Sequence, residues 1–176
     1  MVRKRWVIII ASIVAVALLV AAGFWLARIT KPTTSSLPAD IASKLNFSPL
    51  VVEATSSAPQ TRDYKLSTSE EGVLLLSFII QLENGRTVTV SEYPQPSQFS
   101  DVPDFKDKFL ENVIQKSTSV STAGGVIILG RMAKQDNKQM AVMLEKGLVV
   151  FLVPSTDLSE DEWRSIGDKL SLVSVN

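Results

Sequence analysis

The chain has no cysteine and no histidine in 176 residues. The first absence rules out disulfides, thiolate nucleophiles and cysteine metal ligands. The second removes the general base of Ser-His-Asp and Cys-His machinery and the imidazole ligands that dominate zinc sites. A Ser-x-x-Lys motif, which would pair a serine nucleophile with a lysine base, does not occur. Nor does the Asp-x-Asp-x-Asp-Gly pattern of a carboxylate calcium loop. The expectation is a non-enzymatic protein with no catalytic residue, no metal and no cofactor. Without disulfides a domain facing an oxidising compartment must rely on core burial alone, and cysteine-free composition points toward a bacterial envelope.

Charge is missing from one long stretch. Residues 6–27, beginning at Trp6 and ending at Ala27, hold no charged side chain over 22 positions. A helix of that length covers roughly 33 Å, enough to cross a hydrocarbon core of about 30 Å. Trp6 and Trp25 stand near its ends, where indole rings favour the interface. Arg3, Lys4 and Arg5 before it outweigh Arg28 and Lys31 after it. The organisation read from this is a cytoplasmic tail at 1–5, a single transmembrane helix at 6–27, a linker at 28–37 and an extracytoplasmic domain at 38–176. Ala21, Ala22 and Gly23 would suit a signal peptidase, but the apolar core of a cleaved signal runs only about 7–15 residues. This run continues to a second Trp and a basic stop, so a retained anchor is expected. The linker region that follows, residues 30–40, carries two prolines and five hydroxyl side chains and no apolar periodicity.

Whole-chain neutrality hides an asymmetry. Of 18 basic and 18 acidic residues, residues 1–31 hold five basic and none acidic, leaving 13 (18 − 5) against 18 beyond the membrane. An acidic surface repels phosphate backbones, so no nucleic-acid partner is expected.

The outer part reads as α+β, with a curved antiparallel sheet and two or three helices. A short helix is expected over 38–45, strands over 49–54 and 62–67, and a nearly continuous apolar strand over 72–82. Asn84-Gly85 then marks a hairpin into a strand over 86–93, with Val88 and Val90 inward against Thr87 and Thr89 outward. Pro94 and Pro96 should stop that strand. Asp101 can cap a helix over 102–115 with Phe105, Phe109 and Val113 on one face. Strands follow over 117–122, 126–133, 139–145 and 148–153, separated by turn signals at Gly124-Gly125, Asp136-Asn137 and Lys146-Gly147. Ser159 and Glu162 form a capping box for a last helix whose buried stripe is Trp163, Ile166 and Leu170. Strands in runs with helices apart exclude a βαβ parallel sheet.

The segment from Gly124 through Val173, with its Gly-Gly start, strand pair about Lys146-Gly147 and "PSTDLSEDEWRSIGDKLSLV" ending, resembles a family of extracytoplasmic domains of unknown function. Those domains occur in bacterial membrane-anchored proteins, some attached to anti-sigma-factor and sporulation-type modules. The resemblance covers about 50 residues and implies an envelope location, while defining no functional residue. One departure is the absence of an aromatic residue before the Lys-Gly turn, where Met140, Val142, Met143 and Leu144 stand.

Two patterns mimic chemistry. Asp101, Asp104, Asp107 and Glu111, and likewise Glu160, Asp161 and Glu162, could pose as paired carboxylates, but acids in first helical turns complement the helix dipole. Gly125 to Gly130 has the Gly-x-x-x-x-Gly spacing of a phosphate loop, yet Arg131-Met132 replaces the required Lys-Ser or Lys-Thr and four apolar residues fill the gap.

What remains is a membrane-anchored sensory or protein-interaction domain with an envelope protein partner. The alternatives are a carrier for a lipid or other apolar ligand in a half-barrel cavity, and a bitopic accessory subunit of a secretion or pilus apparatus. A filled core would favour the interaction domain and a continuous apolar cavity the carrier. The candidate partner-binding loop is Tyr93, Pro94, Gln95, Pro96 and Phe99, a connection that carries two aromatic rings. The competing reading folds both rings back to seal the sheet edge. The anchor assignment predicts that protease added to spheroplasts digests the domain and leaves a small protected N-terminal fragment. Recovery of a soluble form starting after Ala22 would refute it.

Overall fold

The computed structural model describes residues 37–52, 60–69, 72–133 and 137–175, all within the unit Thr34–Asn176. The expected tail, the expected span at 6–27 and the linker up to residue 36 lie outside the described residues. So do positions 53 and 54 of the expected first strand and Asp136 of the expected turn. Among the described residues no helix is long and apolar enough to cross a membrane.

The chain order is helix α1 (Ala39–Ala42) and strands β1 (Leu50–Val52), β2 (Gln60–Thr68), β3 (Leu74–Gln81) and β4 (Thr87–Pro94). Helices α2 (Gln98–Asp101) and α3 (Phe105–Val113) follow. Strands β5 (Ile114–Thr122), β6 (Gly125–Met132), β7 (Gln139–Glu145) and β8 (Leu148–Pro154) come next, then α4 (Glu160–Gly167) and β9 (Leu170–Leu172). The fold is α+β with a curved, seven-stranded antiparallel sheet in the order β2-β3-β4-β8-β7-β6-β5, and a separate β1-β9 pair. Two meanders, β2-β3-β4 and β5 to β8, thus meet where β4 pairs with β8, Val88 opposite Pro154 through Pro94 opposite Leu148.

Four helices stand among the described residues, not two or three. The extra one, α2, lies before the expected helix over 102–115, and that helix begins late, at Phe105. Val102 is extended at φ −115°, ψ 117°, as a residue before proline prefers. Asp104 turns left-handed at φ 60° and makes no side-chain cap. Asp101 therefore ends α2 instead of capping a longer helix. The chain is back in a strand from Ile114. The expected Phe105, Phe109 and Val113 face survives as a half-buried stripe.

One turn differs from expectation in its chemistry. At Asn84-Gly85 only Gly85 adopts positive φ, at 78°. Leu82 N–H donates to Arg86 at 2.8 Å and Asn84 Oδ1 accepts from Arg86 N–H at 3.1 Å, closing a three-residue loop with its glycine in the left-handed position. The two-residue turn with both residues left-handed is Lys146-Gly147, at φ 53° and 77°, between paired Glu145 and Leu148. β4 runs through Pro94, one residue beyond the expected stop. The capping box is present, Ser159 accepting from Glu162 N–H at 3.3 Å and Glu162 accepting from Ser159 N–H at 2.9 Å. Leu170 is buried as expected but belongs to β9, because the helix ends at Gly167.

Alternation along the strands builds two apolar layers. On one face Leu76, Phe78, Ile80, Val88, Val90 and Leu152 pack under Trp163, Ile166 and the β1-β9 pair. On the other, Met140, Val142 and Ile114 pack with Leu110 and Val113 of α3 and with Phe151. β7 and β8 are therefore covered on both sides. Trp163 is fully buried and its Nε1 donates to Gln139 Oε1 at 3.2 Å. The same Gln139 accepts from Leu158 N–H at 2.8 Å and donates to Leu158 C=O at 2.9 Å, so one amide fixes the approach to α4.

Gly124 does more than turn the chain. Its N–H donates to Gly167 C=O at 3.0 Å, and a Cβ there would lie 2.5 Å from that same oxygen. The end of α4 and the β5-β6 turn approach this closely only because position 124 has no side chain. Gly124→Ala should cost about 1–3 kcal/mol in denaturant unfolding. An unchanged midpoint would mean that the two segments separate freely.

Candidate functional site

The sheet opens at one end. β3 stays paired with β2 as far as Leu74 opposite Thr68, and β4 stays paired with β8 as far as Pro94 opposite Leu148. Pairing between β3 and β4, however, ends at Leu76 opposite Glu92. Beyond that rung lies a notch of about 670 Å³. One wall is Ser69 with residues 72–75, the other is residues 93–96 with Gln98, and Asn46 completes the lining. Its volume falls within the roughly 300–1,000 Å³ typical of ligand clefts.

Four of the five residues singled out in the sequence, Tyr93, Pro94, Gln95 and Pro96, line this notch. The fifth does not: the Phe99 ring packs edge-on against Phe105 and Phe109, with centroids 5.3 and 5.1 Å apart. Tyr93 is half-buried with its ring 6.2 Å from Phe151, and burial pushes its hydroxyl pKa up. Gln95 is pinned, its backbone N–H donating to Gly147 at 2.8 Å and its Nε2 to Leu148 C=O at 3.0 Å. The far wall, at the tip of the β2-β3 hairpin, was not foreseen. Its only sequence signal was the apolar run starting at Val73.

Among the described residues no charged side chain lines the notch. Nucleophile and base are not brought together there, and among the described residues no group of three or more Asp or Glu is placed to hold a metal. Of the acidic clusters, Glu162 completes the capping box and also pairs with Arg86 of the β3-β4 turn. Asp101 and Asp104 flank the break between α2 and α3. The residues with phosphate-loop spacing form β6, as their apolar character implied.

The strongly perturbed acid is Glu92, the last rung before the notch. Its side chain turns into the main core and is 0 % exposed. Oε2 accepts from Leu50 N–H at 2.9 Å, while Oε1 has no hydrogen-bond partner. Desolvation raises its pKa to about 8, opposed only in part by the Leu50 bond. The carboxyl is thus mostly neutral at pH 7 and ties β1 to β4. No family model, characterised relative or solved structure matches this chain.

A raised folded pKa means that the folded state holds this proton more tightly than the unfolded one. The Glu92 contribution is therefore fully present below about pH 4.5 and lost as pH rises toward about 8. The loss should approach ~1.4 kcal/mol per pH unit within that window. Glu92→Gln keeps a neutral acceptor for Leu50 and should flatten the dependence, so that the variant gains on the native protein as pH rises from 5 to 8. Parallel melting curves for the two across that range would refute the assignment.

Proposed function

We propose that this chain is a membrane-anchored, non-catalytic extracytoplasmic domain of a bacterial envelope, and that it engages a protein partner through the notch between β3 and β4. The observation that carries this reading is the notch itself: a cleft at the split end of an otherwise continuous sheet, walled by the proline-rich connection after β4. Recognition sites on rigid scaffolds commonly sit on such connections. The apolar run at 6–27 and the basic bias before it support the anchor and its orientation. The resemblance of residues 124–173 to envelope domains points the same way.

A filled core weighs against the carrier reading. Phe78, Ile80, Val90, Leu152 and the indole of Trp163 occupy the space that a half-barrel ligand would need. The test places a photo-cross-linking residue at Tyr93 in the full-length protein in its own cells, with exposed Thr89 as the control site. A protein adduct from position 93 and not from 89, digested by protease added outside, is the expected result. Adducts to lipid alone, or none above the control, would overturn the interaction role.

A further inference from the structure

The notch has a backbone cause, and that cause dictates what can enter. Along a strand, successive residues direct their N–H and C=O to opposite neighbours. Leu82 bonds Arg86 across the β3-β4 turn, so counting back by twos sets Ile80, Phe78, Leu76 and Leu74 toward β4. Ser69 N–H donating to Val73 C=O, on the β2 side, agrees. On β4, Thr87 accepts from Ser155 and Gln95 donates to Gly147. Odd positions therefore face β8, and even positions, through Pro94, face β3. Rungs Ile80–Val88, Phe78–Val90 and Leu76–Glu92 are bonded pairs of this kind, and Leu74–Pro94 would be the next. Proline has no N–H to give to Leu74 C=O. The ladder stops there.

We propose that Pro94 holds the notch open and that the notch takes an extended peptide segment which pairs with the backbone of Leu74. This rests on the interaction reading above and names the partner's chemistry. Strand addition supplies main-chain hydrogen bonds where a sheet presents an unfinished edge. The edge here is the side of Leu74 that Pro94 leaves unmatched. Among the described residues the lining has no charged side chain. The amides of Asn46 and Gln98 offer neutral hydrogen bonds of the kind that serine, threonine or a peptide group returns.

The experiment uses the full chain in micelles, isotopically labelled, with a capped hexapeptide of alternating serine and leucine as probe. The peptide should shift the Leu74 and Tyr93 amide resonances and slow hydrogen exchange at Leu74 at least tenfold. Pro94→Thr supplies the missing donor: residue 94 and Leu74 should become protected without peptide, the melting temperature should not fall, and peptide binding should be lost. An unprotected Leu74 amide in the complex, or undiminished binding by Pro94→Thr, would overturn the inference. The native protein's exchange at Leu74 with and without peptide decides the matter even if the variant does not fold. A Tyr93 cross-link in cells without peptide protection of Leu74 would sink this binding mode and leave the interaction role. Protection without a cross-link would do the reverse.

Discussion

Everything in the sheet depends on the pairing of β4 with β8. Each meander closes its own hairpins locally, but neither covers a face alone. Only the seven rungs from Val88–Pro154 to Pro94–Leu148 merge them into one surface wide enough to be covered by Trp163 and the β1-β9 pair. The partners lie far apart in sequence, so this contact carries a large loop-closure cost and makes a slow-folding topology. The chain meets that cost by filling the gap: α2 and α3 lead from β4 to β5, and α3 packs against Met140, Val142 and Phe151 on the way. The crossing is itself part of the core.

Once the sheet is joined, its outer strands β2 and β5 are edges, and edges invite pairing with other chains. Both are interrupted in the same manner. Register shifts between Arg62 and Lys65 on β2 and between Gln115 and Thr118 on β5, with Asp63 at φ 57° and Lys116 at φ 51°. A bulge bearing a charged residue twists an edge away from straight pairing. The interior notch is a different case, because there the unfinished edge lies between two strands of the same sheet.

Much of the architecture was legible because it is written in local chemistry. The alternation of Val88 and Val90 with Thr87 and Thr89, the Ser159–Glu162 box and the Lys146-Gly147 turn each act within a few residues, and each took its expected place. The misses are tertiary. β1 lies within the strand expected over 49–54, but its partner β9 exists only through it, Leu50 opposite Leu172 across more than a hundred residues, and no periodicity announces so short a strand. Asp101 looked able to cap a helix over 102–115, but the extended Val102 and the left-handed Asp104 delay its start to Phe105. For the site, two prolines and a tyrosine after a strand identified one wall. The other, from the β2-β3 hairpin, could be found only once the register was known.

Glu92 was invisible for the same reason. An acid on the inward phase of a strand reads as an error in the pattern Val88, Val90, residue 92, and only the depth of the core beneath it reveals that the carboxyl must be neutral. Its position gives the pattern a purpose. At residue 92 the side chain leaves the sheet to bond Leu50, while its backbone makes the last rung with Leu76. Two residues on, Pro94 ends the ladder. β1 is only three residues long and pairs with β9 over three positions, so the Glu92 bond is a substantial share of what holds the domain's first strand. Placing that bond at the apex of the notch puts the entry of the chain into its fold and the open end of the sheet on one residue. A shift in the last β3-β4 rung cannot leave β1 undisturbed.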